Sequence, residues 1–132
     1  MELGEVGLGF REFAERFTDW LRAREETHVA FFGLLDGTAV AVAWLAIVDR
    51  IPGPLGFDRK SGYVQSAYVQ TAHRDLGLGA KLVAMLIADA RDRGLDYLAV
   101  HPSDRSIALY ERLGFIATDR VLELDFQGPA KS

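Results

Sequence analysis

A glycine-rich stretch between two regular patterns constrains this chain more than any other feature. The stretch reads Arg74-Asp75-Leu76-Gly77-Leu78-Gly79-Ala80. Before it, the segment 63–69 is rich in β-branched and aromatic residues and contains no breaker, which predicts a strand. After it, apolar residues recur at helical spacing up to Arg93, and Gly94 is a suitable helix stop. Both glycines of the stretch therefore lie where a strand turns into a helix.

This junction is a suitable place for an anion. The first amides of a helix have no partner within the helix, and the helix dipole is positive at that end. Glycines let a ligand come close to the main chain, so the stretch predicts a phosphate or pyrophosphate seat. Arg74 can add a charge-assisted contact to the same anion. Taken alone, the two glycines also fit a tight strand-to-helix turn that simply needs small residues.

The composition narrows the class of protein. The 132 residues fit a single domain, 1–132, and a hydrophobic content of 49% excludes disorder. The absence of cysteine excludes a disulfide framework and a thiol nucleophile. The net charge is −4 and the arginines are dispersed along the chain, so we expect no nucleic-acid partner. No apolar run is long enough for a membrane span and no signal peptide is visible, so we expect a cytoplasmic protein that does not bind membranes.

Periodicity and turn residues predict the remaining elements. An amphipathic helix is predicted at 10–23, after an irregular start at 1–9. Strands are predicted at 29–35 and 39–48, joined by a turn at Asp36-Gly37 and followed by a Pro/Gly-rich loop. A strand at 95–100, a helix at 103–113 and a final hairpin of 115–118 with 121–126 complete the order, with a loose tail at 128–132. This order predicts an α+β fold with a mixed sheet.

A second motif joins the glycine-rich stretch. It reads Ala108-Leu109-Tyr110-Glu111-Arg112-Leu113-Gly114-Phe115. Arg-x-x-Gly-x-Gly after a strand, then a helix, a short strand and Leu-Tyr-Glu-Arg-Leu-Gly-Phe resembles the GNAT superfamily of acetyl-CoA-dependent N-acetyltransferases. The resemblance covers roughly Thr27 to Phe126. It implies a GNAT-like mixed central sheet flanked by helices, and acetyl transfer from acetyl-CoA to a primary amine of a small molecule or peptide.

The resemblance also implies where the coenzyme lies. In the family the glycine-rich turn, here Arg74 to Ala80, holds the pyrophosphate of coenzyme A. The strand before it pairs with the pantetheine arm, which assigns Ala67, Tyr68 and Val69 to the coenzyme site. A main-chain amide near Tyr68 or Val69 would polarise the thioester carbonyl. Ser103 stands where the family often has an asparagine near the coenzyme, and its shorter side chain weakens that assignment. No His and carboxylate spacing indicates a metal.

Two side chains are candidate catalytic groups. Tyr110 aligns with the family tyrosine that protonates the departing thiolate, although an aromatic on the core face of a short helix is the alternative. His101 follows the predicted strand 95–100 and has a suitable intrinsic pKa for a general base, although a lone histidine is often structural. Family members also use a glutamate or a chain of water molecules, which Ser66 and Tyr63 could line. The sequence therefore leaves the base open.

This chain departs from the family pattern at its N-terminal end, where we expect the family's usual first strand to be missing, truncated or upstream of Met1. This departure keeps a second function open, a catalytically weak acyl-CoA-binding regulatory module. It also leaves the predicted strand 29–35 as a sheet edge with no charge and no proline to discourage pairing. We therefore expect a homodimer in which a partner chain covers this edge; local cover by Met1 to Leu8 is the alternative.

Overall fold

A four-stranded mixed sheet forms the centre of the protein. The structure is a computed structural model and describes residues 9–127. The strands are β1 (His28–Leu35), β2 (Thr38–Asp49), β3 (Lys60–Val69) and β4 (Leu98–Val100), in the spatial order β1-β2-β3-β4. The first three are antiparallel neighbours, and β4 runs parallel to β3. The predicted α+β class with a mixed sheet is therefore confirmed.

Three helices within residues 9–127 accompany the sheet. They are α1 (Phe10–Arg22), α2 (Leu78–Asp92) and α3 (Ile107–Arg112). Two short 3₁₀ turns, Thr71–His73 and Asp104–Ser106, precede α2 and α3. The helix predicted at 103–113 is thus divided between the second 3₁₀ turn and α3. None of the described helices combines the length and the apolar character that a bilayer span needs.

The hairpin between β1 and β2 forms where the sequence predicts it. Asp36 and Gly37 have φ values of 51° and 81°. Positive φ at both central residues gives the turn a twist that matches that of the flanking strands. The two strands then pair from His28 with Ala46 to Leu35 with Thr38.

The main core lies between β2 and α2. Alternate residues of β2 point to the same side of the sheet, and on this side Ala43 and Leu45 are buried against Val83 and Leu86 of α2. Leu45 and Leu86 have no exposed surface at all. This packing fixes α2 across the sheet and hence fixes the position of its first turn.

Helix α1 lies on the opposite side of the sheet. The ring of Phe17 contacts Trp44 edge-on, with 6.1 Å between ring centroids. The apolar stripe of α1 is only partly covered by the described residues, because Phe13, Phe17 and Trp20 remain 50%, 37% and 40% exposed. The helix predicted at 10–23 is therefore present, with an apolar face that the described residues cover only in part.

The final hairpin was predicted wrongly. Residues 115–127 contain no strand, and Leu122, Leu124 and Phe126 are 93%, 77% and 92% exposed. Alternating apolar residues make a strand only where a neighbouring strand completes the main-chain hydrogen bonds, and no described segment pairs with these residues. The predictions for residues 1–8 and 128–132, including the missing or truncated first strand, lie outside the described residues.

Candidate functional site

A cleft opens where β3 and β4 separate. The two strands pair over only three positions, from Gly62 with Leu98 to Val64 with Val100. Strand β3 continues to Val69, but no described residue pairs with its β4 side beyond Val64. Main-chain groups on this side of the stretch are therefore not bonded to β4 and can bind a ligand that lies between the strands, except the Val69 carbonyl, which accepts from Arg74.

A bulge in β3 accompanies the separation. Ser66 and Ala67 together lie opposite the single β2 residue Ala43, and Ser66 adopts a φ of 53°. An extra residue on one strand bends that strand and increases its local twist, and a serine with positive φ is a strained residue of the kind that occurs at functional sites. The bulge therefore accounts physically for the turning of β3 away from β4.

The start of α2 faces the same cleft. Gly77 precedes the helix with a φ of 79° and a ψ of 8°, and no side chain caps the helix. The first main-chain bond is donated by Lys81 to the carbonyl of Gly77 over 3.1 Å. The amides of Leu78, Gly79 and Ala80 therefore lie before the helical ladder and at the positive end of the dipole.

The two positions in the turn favour glycine for different structural reasons. At Gly77 the reason is the positive φ of the main chain. Crowding plays no part, because an added Cβ would meet no protein atom within 4 Å. Gly79 is helical, and a Cβ there would lie 3.4 Å from Leu109 and 3.6 Å from Val69. Gly79 thus lies where α2, α3 and the end of β3 come together.

Arg74 connects the turn to the strand. Its Nε–H donates to the carbonyl oxygen of Val69 over 3.0 Å, and its guanidinium carbon lies 5.6 Å from the centre of the Tyr68 ring. The bond uses one of the five guanidinium N–H groups. The others can still bind an anion at the start of α2.

One cavity of about 890 Å³ brings most of the predicted site residues together. It extends from the end of β3 across the start of α2 to α3. The predicted residues that line it are Ala67, Tyr68, Val69, Arg74, Asp75, Gly77, Leu78, Gly79, Ala80, Ser103 and Tyr110. Leu76 and His101 are exposed and are not among its lining residues.

Tyr110 is the most buried polar residue in the cavity wall. It is 5% exposed, and its ring packs edge-on against Phe115 at 5.3 Å between centroids. Burial raises the pKa of its phenol above the ordinary value of 10.0, because the phenolate loses solvation. The phenol therefore stays protonated at neutral pH, as a proton donor must. Its contact with Phe115 also fits the alternative role in packing.

Ser103 lies at the entry to α3. Its hydroxyl is 3.0 Å from that of Ser106, and both residues line the cavity. The hydroxyl of Ser106 also donates to the carbonyl of Ser103 over 3.1 Å. The two serines thus form a local hydrogen-bonded pair at the cavity wall.

Sequence reasoning assigned no role to several residues that line this cavity. They are Thr71, Arg105, Ser106, Ala108, Leu109 and Arg112. The signal that could have found four of them is helical spacing, because positions 105, 108, 109 and 112 follow the i, i+3, i+4, i+7 pattern of one helix face. His73, in the 3₁₀ turn before α2, lines the cavity as well.

The cavity wall is cationic although the protein is acidic. Three arginines and one histidine line it, against the single carboxylate of Asp75, while the whole chain has a net charge of −4. Within residues 9–127 there is no group of three or more side chains that could hold a metal ion. The wall therefore favours an anionic ligand.

Comparison with known proteins identifies the family. The family model described as acetyltransferase (GNAT) family matches residues 5–115. This chain belongs to the GNAT acetyltransferase family. The identification made from the two sequence motifs is therefore confirmed, and enzymes of the family use acetyl-CoA.

A curated relative gives a narrower likeness. Glucosamine 6-phosphate N-acetyltransferase of Trypanosoma brucei brucei is 33% identical over 67 residues. The match covers 51% of this chain and 46% of that protein. This GNAT chain thus aligns with about half the length of the curated relative.

Solved structures share the GNAT fold. A predicted acetyltransferase of Clostridium acetobutylicum, solved with acetyl-CoA, has a TM-score of 0.73 at 21% identity. The alignment covers 96% of this chain and 84% of that structure's chain. An acetyltransferase of Trypanosoma brucei has a TM-score of 0.70 at 29% identity, with coverage of 89% and 80%. These likenesses establish the fold of the chain.

Proposed function

We propose that this protein moves an acetyl group from acetyl-CoA to a primary amine. The observation that carries the proposal is the course of one cavity. It runs from the unpaired edge of β3, past the uncapped start of α2, to the buried phenol of Tyr110. A thioester coenzyme needs all three features within one space. Its pyrophosphate would lie at the start of α2, its arm along the edge of β3, and its departing sulfur near Tyr110.

The coenzyme is held mainly by main-chain groups. Its pyrophosphate binds the amides at the start of α2, where Gly77 and Gly79 leave room for close approach and Arg74 adds a positive charge. The pantetheine arm lies along Ala67 to Val69 and pairs with the free edge of β3, as an added strand would. The thioester then lies near the bulge, with its carbonyl oxygen close to the amide of Tyr68 or Val69.

The transfer itself is a direct attack. The amine nitrogen bonds to the thioester carbonyl carbon, and the negative charge that develops on the oxygen is stabilised by a main-chain amide. The C–S bond then breaks, and Tyr110 gives its phenol proton to the coenzyme thiolate. Because burial raises the pKa of Tyr110, its phenol is protonated at neutral pH and has a proton to give when the thiolate forms.

The attacking amine must also lose a proton. His101 remains our candidate base, and because it does not line the cavity, the proton would reach it through water. Ser66 and Tyr63 of β3 lie on the strand that such a water chain would follow. A base role for His101 therefore depends on solvent within the cleft.

An amino sugar phosphate is the first acceptor to test. The support is the curated relative, whose name specifies glucosamine 6-phosphate. Amines of peptides and polyamines are the comparison set. We expect the acceptor to enter from the side of the sheet that carries α1, where Val42 lines both the coenzyme cavity and an apolar groove beside Phe17 and Trp44.

The test is thiol release from acetyl-CoA with and without each amine. We expect release that depends on one class of amine and saturates with it. Calorimetry with coenzyme A, run in parallel, measures binding without chemistry. Tight coenzyme binding with no amine-dependent release from a broad panel would favour the acyl-CoA-binding regulatory module instead. Absence of coenzyme binding would reject both functions.

A further inference from the structure

The α3 wall of the cavity carries a second cationic surface. Arg105 and Arg112 are seven residues apart, and Ala108 and Leu109 lie between them at i+3 and i+4. All four residues line the cavity. One stripe of the 3₁₀ turn and α3 therefore faces the ligand space, with an arginine at each end and small or apolar groups in the middle.

Both arginines are uncommitted within the part of the chain that the structure describes. The ion pairs of residues 9–127 use the cations of Arg50, Arg59, Lys60 and Arg93. Neither Arg105 nor Arg112 donates a side-chain hydrogen bond there, whereas the third arginine of the cavity, Arg74, already donates to Val69. Two free guanidinium groups thus line a cavity whose first anion seat lies elsewhere, at the start of α2.

We propose that Arg105 and Arg112 form a second phosphate site, which takes a phosphate monoester. A guanidinium group binds phosphate oxygens through two parallel N–H bonds, and it keeps its charge at every physiological pH. The apolar stretch of Ala108 and Leu109 between the arginines offers a surface for a flat ring such as a nucleobase. This inference rests on the proposed function, because it assumes that the pyrophosphate of the coenzyme occupies the start of α2.

Two ligands could supply the phosphate monoester. One is the 3′-phosphate on the ribose of coenzyme A, whose adenine would then lie against Ala108 and Leu109. The other is the phosphate of a phosphorylated amine acceptor. The chemistry that the arginines recognise is the same in both cases, so the experiment must separate the two sources.

Calorimetry on the full chain tests the coenzyme as the source. Coenzyme A and 3′-dephospho-coenzyme A are titrated into the unaltered protein and into Arg105→Gln, Arg112→Gln and the double variant. Arg91→Gln is the matched control, since Arg91 is exposed on the last turn of α2 and does not line the cavity. Each cavity variant should bind coenzyme A about tenfold or more weakly, as expected for a lost charge-assisted hydrogen bond. Binding of the dephospho compound should be unchanged, and the double variant should no longer distinguish the two.

A kinetic arm tests the acceptor as the source. Saturating acetyl-CoA is combined with glucosamine 6-phosphate or glucosamine, and KM for the acceptor is measured for the same variants. A rise in KM that is confined to the phosphorylated acceptor assigns the arginines to the acceptor and supports the site.

Two results would overturn the second phosphate site. The first is that the cavity variants behave as Arg91→Gln does with coenzyme A, its dephospho form, glucosamine 6-phosphate and glucosamine. Variants that weaken the binding of coenzyme A and of the dephospho compound equally, with no effect specific to either phosphorylated ligand, would also overturn it. The arginines would then act only through their general positive charge. Failure of the unaltered protein to bind coenzyme A at all would instead reject the proposed function on which the inference rests.

Discussion

The Nε–H of Arg74 donates to the carbonyl oxygen of Val69 over 3.0 Å, so the first residue of the glycine-rich turn holds the last residue of β3. The bond joins the strand edge that we assign to the pantetheine arm to the helix start that we assign to the pyrophosphate. Arg74 is therefore expected to act in two ways, by its charge and by positioning the end of β3.

Substitution of Arg74 separates these two contributions. Arg74→Ala removes both and should weaken coenzyme A binding by about 1.5–3 kcal/mol. Arg74→Lys keeps the charge but lacks the planar guanidinium group whose Nε–H bonds to Val69. Its loss of affinity should therefore be intermediate. Calorimetry measures both, with Arg91→Ala as the control. Unchanged affinity for the alanine and lysine variants would reject this assignment of Arg74.

Tyr110→Phe removes the phenol proton and keeps the ring that packs against Phe115. Coenzyme affinity and folding should change little, while turnover should fall by roughly 10²–10⁴-fold, the effect typical of a lost general acid. Because burial raises the pKa of Tyr110, activity that requires the protonated phenol should persist at neutral pH and decline on the alkaline side, at a higher pH than for an exposed tyrosine. Rates over a pH series measure this, with Tyr97→Phe at the other end of β4 as the control. Normal turnover at saturating substrate, with an unchanged basic limb, would mean that water protonates the thiolate and Tyr110 only packs.

The two glycines of the turn should respond oppositely to alanine. Gly77→Ala places a side chain at a φ of 79° and should lower the free energy of unfolding by about 1–2 kcal/mol. Gly79→Ala adds a methyl group in ordinary contact with Leu109 and Val69, and it replaces a glycine inside a helix, so stability should stay level or rise by up to about 1 kcal/mol. Urea unfolding compares the two. Equal losses would show that close packing at Gly79 outweighs its helical preference.

The outer edge of β1, which no described residue covers, leads us to expect a homodimer. Among the described residues, β1 pairs with β2 alone, and its segment 29–35 carries no charge or proline. Phe32→Lys, at a position that is 55% exposed on this strand, should shift the protein towards the monomer, while Leu55→Lys in the loop before β3 should not. Light scattering over a wide concentration range measures the mass. An unaltered protein that stays monomeric throughout would contradict the expectation.

Elements with a clear period and clear punctuation were predictable from the sequence. The Asp36-Gly37 turn set the first hairpin because both positions tolerate positive φ, and Gly94 marked the end of α2 closely. The position of the glycine-rich turn was predictable for the same reason, since its glycines fall between two regular patterns. Local chemistry alone decided these positions.

Features that depend on tertiary contacts were not predictable. Ser66 adopts a positive φ that nothing in its own residue type favours, so the β3 bulge was invisible in the sequence. The alternation at 121–126 predicted a strand, but no described neighbour pairs with it. The role of Arg105 and Arg112 in the cavity wall required knowing which face of α3 points into the cleft.

Amide NMR tests most directly whether acetyl-CoA binds the amides at the start of α2. A ¹⁵N-labelled sample is titrated with acetyl-CoA, and the resonances of Leu78, Gly79 and Ala80 are followed. Gly53 and Gly56 are internal controls, because their amides already bond to each other's carbonyls at 2.9 and 3.1 Å in the loop between β2 and β3. We predict large saturable shifts for the three helix-start amides and none for the two controls. Shifts that leave residues 78–80 unmoved, or that fall instead in the groove beside Phe17 and Trp44, would contradict the account.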